Sequence, residues 1–570
     1  MLLIFISWIY IGFVTINLGC LFAKLVKLKT NNFSVIAILG LFTTTLIASF
    51  WAIFKNVGLE FHILLLLLTL ASGYSLRKEI KAIYKEILSK INSLKLICKS
   101  LLFINIILII AQCASSPYVI DNESYYIQSI KWLNECGFVK GLGNIHFFLA
   151  QSSGWHITQS AFSFSFLYSN FNDISGYCLL LGNLFCIFKL NEYFTDRKFN
   201  SLVIGMFPLA NVFFFQFISA PSPDIPVYVF SFIIFSYFLT GKKETFTEDF
   251  KIIALLIIYL IFIKTTAVAL LTVPLIMFFS NFKKTLPAIS SLSIIGLITL
   301  SAFIVKNTII SGYPLFPVVN FAYNADWVIP ESIAQMYYDE TKVYGYLLKK
   351  SAYDSMSYKE LILRWLTLPK LHGLFNLIGA ILIFITPFGI YKFKNERKWW
   401  ILYTLMVVQM VILFISSPQY RFFMNTLLLF SFFFAALIFT SSKLFLNKML
   451  LKPILIFSMI ATAYVLFIPI DLNKFAENKF ALETSNFKLE EIVAPHSNSK
   501  LNTEFEKVTI GNLTFYSPIK NDFFWASGNG PIPCVNKAQI KYFERKTGYI
   551  PQQRSNKIKD GFFAKKVDNN

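Results

Sequence analysis

Charge is scarce along this chain. Only 15% of its 570 residues are Asp, Glu, Lys or Arg, against 56% hydrophobic, whereas soluble domains carry about 25% charged residues. The deficit runs along most of the chain and excludes an ordinary soluble protein. Acid is scarcer than base, with 31 Asp and Glu against 52 Lys and Arg and a net charge of +21. That excess does not imply a nucleic-acid partner. The lysines fall in short clusters between apolar runs, as the positive-inside rule expects of cytoplasmic loops. The seven cysteines include no CxxC or other metal-type spacing. Most lie in or beside apolar runs, where a free thiol behaves as a small hydrophobe; a disulfide between Cys136 and Cys534 stays open. No segment of about ten residues alternates as a transmembrane β-strand would, and Leu64 to Leu68 is unbroken leucine. The first apolar run, near residues 2–23, ends in Lys24, Lys27 and Lys29 without a small-residue cleavage site, so it reads as a retained span rather than a signal peptide. No soluble-type internal repeat is visible.

What is present is a series of apolar runs close to the roughly 20 residues that cross a bilayer core. Backbone exposed to lipid must satisfy its own hydrogen bonds, so the spanning element is the helix. The expected fold is an all-α polytopic membrane protein of about 14 transmembrane helices, with exterior amphipathic loop helices and a small C-terminal exterior α+β domain. The densest basic loop holds Arg77, Lys78, Lys81, Lys85, Lys90, Lys95 and Lys99, interleaved with Glu79 and Glu86. It predicts a short surface helix and places residues 77–99 in the cytoplasm, with the N-terminus outside. Residues 1–99 then form the N-terminal spans and basic loop. Residues 100–470 form a transmembrane core with two large exterior loops, 117–173 and 306–373. Residues 471–570 form the exterior domain, with β-like runs at 507–510 and 513–516 and a frayed tail after about Asn556. The aromatic loop 117–173, with Trp132, Phe147, Trp155 and Phe162, is expected to lie half-buried in the membrane interface. Lys264-Thr265-Thr266 interrupts a long apolar run. Because intramembrane charge is costly, two short helices meeting at an exterior turn are favoured over one tilted helix that buries the lysine.

The polar residues expected on the exterior side are Asp121, Glu123, His146, His156, Asp224, Lys264, Lys306 and Arg421. Carboxylates mixed with cations at span ends suit transfer from a lipid-linked phosphate donor. Cations would hold the phosphate, Arg in a bidentate manner, and stabilise its charge as it leaves, while a carboxylate takes the acceptor's proton. Each residue also has an ordinary explanation. Asp121 and Glu123 could begin a helix, and Asp224 could cap a span with Pro226 in its first turn. Lys264 could snorkel, and Lys306 and Arg421 could be interfacial anchors. His146 and His156, ten apart, fit no helical metal pair, and interfacial Tyr and Trp are commonly belt residues.

Taken in order, these motifs resemble the glycosyltransferase C superfamily, in its aminoarabinose-transferase and protein O-mannosyltransferase branch. Asp121-Asn122-Glu123-Ser124-Tyr125-Tyr126 resembles the branch's acidic first-loop motif, although Asn122 splits acids that are usually adjacent. Ser222-Pro223-Asp224-Ile225-Pro226 resembles its Pro-Asp-x-Pro element, and Lys264-Thr265-Thr266-Ala267 its Lys-x-x-Ala turn. Gly312 to Pro317 is similar to its Gly-x-Pro-x-x-Pro loop, and Gln419-Tyr420-Arg421-Phe422 to its Arg-Tyr element. The chain also resembles a group of uncharacterised bacterial membrane proteins, through Asp-x-Glu-Ser-Tyr-Tyr and Gly154-Trp155-His156. The resemblance implies a glycosyltransferase, for hexosyl or pentosyl units, in a bacterial inner membrane, with its active site and C-terminal domain extracytoplasmic. It would move a sugar from polyprenyl phosphate to an envelope glycan, lipid or protein among membrane lipids. The implied catalytic residues are Asp121, Glu123 and Asp224; the phosphate-binding residues are Lys264, Lys306 and Arg421. Tyr125, Tyr126, Trp155 and His156 would serve the acceptor. No cofactor is required by these residues, and a divalent cation, used by some members, stays open. Two other classes compete. A lipid-linked glycan flippase or polysaccharide transporter would place charges or broken helices at the bilayer midplane, and a membrane scaffold would leave these polar residues scattered.

Overall fold

The computed structural model describes residues 1–168, 170–440, 446–468, 486–519 and 523–567. It is mostly helical, at 71%. Among the described residues, nine helices are long and apolar enough to cross a membrane: Leu2–Leu25, Phe33–Trp51, Leu96–Ala114, Ile174–Asp196, Phe199–Ile218, Phe282–Ser311, Lys370–Phe393, Arg397–Ser416 and Tyr420–Thr440. Shorter apolar helices, Asp224–Thr240, Thr265–Ser280 and Leu451–Phe467, complete the bundle, together with Phe246–Ile263 and Leu59–Ser75. The nine fall short of the expected number because the other apolar helices are shorter, or, in Phe246–Ile263, carry Glu248, Asp249 and Lys251 near the start. Pro208 removes a backbone donor, and Phe199–Ile218 passes through a 3-10 turn at Phe207–Ala210.

Small and polar residues join the helices where apolar surface alone would not select a partner. A Cβ on Gly40 would sit 1.8 Å from the Thr15 carbonyl oxygen, and one on Gly19 would sit 2.0 Å from that of Ile36. The first two helices therefore pack backbone to backbone. Deeper in the bundle, Asn183 and Asn211 exchange amide hydrogen bonds at 2.9 and 3.1 Å, and Asn105 donates to Asn183 at 3.2 Å. Thr45, Thr158 and Tyr259 form a second buried triad, with distances of 2.6 to 2.9 Å.

The loops collect at two ends. At one, the basic clusters meet: Lys251 donates to the Lys27 carbonyl, the Lys95 backbone N–H donates to Asn191 Oδ1, Lys284 reaches Lys243, and Lys398 reaches Leu239 and Gly241. Arg77–Asn92 is a helix at this end, bent 86° from Leu59–Ser75. The opposite end gathers the residues around 121, 224, 264 and 421. Lys264 stands at the break between Phe246–Ile263 and the short helix that follows, as the two-helix reading expected.

The segment after residue 117 departs from expectation. Trp132, Phe147, Trp155 and Phe162 are at most 1% exposed, so they fill the protein interior rather than lying half-buried at an interface. Trp132 and Phe147 are covered by C-terminal residues, Trp132 by Phe562 and Phe147 by Trp525 and Phe543, whereas Trp155 packs among the helices and donates to Ser175. In the C-terminal region, β1 (Phe505–Ile510) pairs antiparallel with β2 (Leu513–Pro518), and β3 (Tyr549–Gln553) with β4 (Phe562–Lys566), around the helix Lys537–Thr547. The expected fraying after Asn556 gives way to β4, whose Phe562 donates its backbone N–H to the Lys140 carbonyl at 2.9 Å. Leu513, Phe515, Val535 and Ile540 belong to the same apolar core as the helices. Residues 471–485, where the C-terminal region was expected to begin, lie outside the described residues. Cys136 and Cys534 are both free thiols; Cys534 donates to the Ser527 carbonyl.

Candidate functional site

The helix Leu96–Ala114 ends at Ser115, and after Pro117 the chain forms a π-helical turn, Asn122–Tyr126. Such turns are uncommon and recur at functional sites. Here the turn separates its side chains onto two faces. Asp121, Ser124, Tyr125 and Tyr126 line a cavity of about 340 Å³. Asn122 and Glu123 face away, toward the C-terminal cover.

Five residues expected to carry chemistry meet at that cavity. Asp121 accepts a hydrogen bond from Arg421 Nη1 at 2.8 Å, and the same nitrogen is 3.8 Å from Asp224 Oδ2. Lys264 is ion-paired with Asp224 Oδ1 and lies over the Phe422 ring, 4.0 Å from its centroid. Asp224 is the first residue of its helix, but its carboxylate turns to these cations and to Ser222 instead of capping the helix. Lys306 is 2% exposed, too buried for an interfacial anchor. Its ammonium donates to the Ser152 carbonyl and to Asn307 Oδ1, each at 2.6 Å. Arg421 is fixed further by its Nε, which donates to Gln419 Oε1 at 2.9 Å.

The aromatic and histidine residues divide. Tyr125, Tyr126 and His156 line the cavity, and burial holds both phenols well above their ordinary range. His156 is fully buried and neither ring nitrogen has a hydrogen-bond partner. Burial, and then the charge of Lys306, push its pKa down to about 3, so the ring is neutral. Trp155 does not reach the cavity. Its indole donates to Ser175 Oγ at 3.0 Å and packs in the core, which corrects its expected acceptor role. His146 is also elsewhere, with Nδ1 accepting from the Phe148 backbone.

Glu123 is the larger correction. Its carboxylate accepts from Ser499 Oγ at 2.6 Å and from the Lys500 backbone at 2.9 Å, while its carbonyl accepts from Ser527 and Gly528. It fastens the C-terminal region to the helical end and is absent from the cavity wall. Burial raises its pKa, against the pull of those hydrogen bonds.

Several lining residues were not singled out from sequence. Tyr337, Glu340 and Tyr344 come from the helix Glu331–Tyr344. Burial, then Asp339, raises the Glu340 carboxyl. Phe523, Phe524 and Trp525 roof the cavity from the C-terminal region, with Trp525 packed 5.0 Å from Phe147 and 5.1 Å from Phe148. Three consecutive aromatics in an otherwise polar stretch were the available signal. Among the described residues, no three His, Cys, Asp or Glu side chains are grouped to hold a metal ion. The cavity thus combines three carboxylates, those of Asp121, Asp224 and Glu340, with three cations, an uncommitted imidazole and an aromatic roof. It can hold an anion and offer a proton acceptor within the same space.

The chain belongs to a family described as a domain of unknown function (DUF8201), whose model matches residues 1–428. No curated protein and no solved structure matches it.

Proposed function

We propose that this DUF8201 chain is a membrane glycosyltransferase. It moves a sugar from a polyprenyl-phosphate-linked donor to a cell-envelope acceptor on the extracytoplasmic face of a bacterial inner membrane. The observation that carries the reading is the convergence of Asp121, Asp224, Lys264, Lys306 and Arg421, from five separate segments, on one cavity. A scaffold would have no need of that convergence. Those charges sit at helix ends rather than mid-helix, which supports transfer over a flippase path. Placing the lysine-rich loops in the cytoplasm puts the cavity outside. Counting the three shorter apolar helices together with Phe246–Ile263 and Leu59–Ser75 as spans brings the total to about 14.

In this reading Asp121, which reaches the cavity where Glu123 does not, takes the proton from an acceptor hydroxyl. The hydroxyl oxygen bonds to the anomeric carbon as the bond from that carbon to the phosphate oxygen breaks, with inversion. The electron pair leaves on polyprenyl phosphate, whose charge the cavity's cations stabilise. Asp224 positions Lys264 and Arg421. The aromatic residues give the sugar and acceptor apolar faces to pack on.

The test is transfer from a radiolabelled polyprenyl-phosphate sugar by the purified chain in proteoliposomes. D121N is expected to lower the rate by roughly 10²- to 10⁴-fold, the usual worth of a general base. Undiminished transfer by D121N, with the protein folded, removes Asp121 as the base.

A further inference from the structure

The three cations of the cavity are not equivalent. Arg421 and Lys264 already face Asp121 and Asp224, which meet their charges at short range. Lys306 has no such partner. Among the described residues no carboxylate lies within ion-pair distance of its ammonium, whose two hydrogen bonds go to neutral oxygens, the Ser152 carbonyl and Asn307 Oδ1. An ammonium has three N–H donors, and beyond the two hydrogen bonds this one faces the Phe303 ring, 5.2 Å from its centroid, which carries no anionic oxygen. Removing such a cation from water without an anion is costly, and a site built this way is completed by a ligand that brings the anion.

A second observation points to the same place. His156 is fully buried, lines the same cavity, and leaves both ring nitrogens without partners. Buried polar atoms are rarely left so in a native fold unless something else satisfies them. A neutral imidazole has one N–H donor and one acceptor nitrogen. It can donate to an anionic oxygen while accepting from a hydroxyl beside it. Lys306 lines that cavity as well. Ser152, whose carbonyl holds Lys306, is only a few positions from His156 in the chain.

We propose that Lys306 and His156 form the anion seat of the cavity, built for a phosphate oxygen, and that Arg421 and Lys264 chiefly fix the two carboxylates. This deepens the transferase reading and rests on it for the origin of the phosphate, which could be the headgroup of a polyprenyl lipid or a free phosphate ion. The assignment reverses the expectation that all three cations contact the ligand alike. It also orients the ligand, with phosphate toward Lys306 and the reacting carbon toward Asp121.

The experiment is binding to the full chain in nanodiscs, with polyprenyl phosphate, the matching polyprenol and inorganic phosphate as separate probes. Polyprenyl phosphate is expected to bind and polyprenol not to bind. Competition by millimolar inorganic phosphate identifies a seat for the free ion; no competition identifies a seat for the lipid headgroup. K306M and H156N should each weaken binding roughly 10- to 100-fold, the worth of a hydrogen bond to a charged group, with K306R losing less than K306M. In wild-type protein labelled with ¹⁵N at its five histidines, the resonance absent from H156N should move when the phosphate probe is added. This readout does not depend on K306M folding. Unchanged binding by folded K306M, or an unmoved His156 signal at saturating probe, overturns the proposal. Binding that depends on Lys306 without any sugar transfer would leave the seat standing and remove the transferase. Transfer whose donor KM is indifferent to Lys306 would do the reverse.

Discussion

The two ends of the helical bundle treat charge in opposite ways. At the basic end, ion pairs such as Lys198–Asp196 and Lys90–Glu86 face solvent, with side chains 34 to 64% exposed, and Lys251 beside Glu248 is the sheltered exception at 10%. At the cavity end, Asp224 is 2% exposed, and its partners Lys264 and Arg421 are 16 and 23% exposed. Solvated charges act by number: any one can be lost, because their sum decides on which side of a membrane the loops stay. Withdrawn charges act by position. Each must be matched, since an unmatched one is left in a medium that cannot solvate it. The contrast separates residues that sort the chain from residues that serve the cavity.

Four measurements would break or sharpen that contrast. The largest effect is expected from D121N, whose loss of transfer should far exceed its change in thermal stability; equal losses in both would make Asp121 structural. Next, D224A strands Lys264 and Arg421 and should destabilise the detergent-purified chain by about 3–5 kcal/mol. Adding K264M should recover part of that loss, and a double variant no better than D224A would deny the coupling. The third is E123Q, expected to cost about 1–3 kcal/mol, read as faster proteolysis of the C-terminal region. This effect should also depend on pH. Because burial raises the Glu123 carboxyl in the fold, the folded chain holds that proton more tightly than the unfolded chain does. Its contribution is therefore greatest below the ordinary carboxylate value of about 4.3 and declines as pH rises from there through the raised folded value. E123Q should abolish the slope, and a slope that persists assigns it to another group. The smallest effect is K90A at the basic end, expected within about 0.5 kcal/mol of wild type. A loss there as large as that of D224A would erase the distinction between the ends.

Much of this arrangement was legible in local sequence, and the parts that were not have identifiable causes. Lysine in an apolar run has few affordable placements, so the break at Lys264 could be read directly. The separation of Asp121 from Glu123 was also available. Residues two apart on a helix do not share a face, so the inserted Asn122 already turned the acids apart. What local sequence could not supply was the destination of Glu123, because Ser499 and Lys500 lie far along the chain. The same distance hid the aromatic roof and the burial of Trp132 and Phe147, which read as interfacial residues until the cover above them is known. Lys306 could be read from sequence as a phosphate ligand or as an anchor, because the two share a position at span ends. Only burial without a carboxylate tells them apart.

The aromatic roof has a consequence for how the protein is made. Ser527 meets Glu123 across 404 positions, so the cavity is closed by residues that emerge long after its floor. Every charged group from Asp121 to Arg421 is threaded before Phe523, Phe524 and Trp525 are translated. At ordinary synthesis rates the intervening hundred or so residues take roughly 5 to 20 s. For that interval the charged floor exists without its cover, and a chain stalled within it would present an assembled but open site.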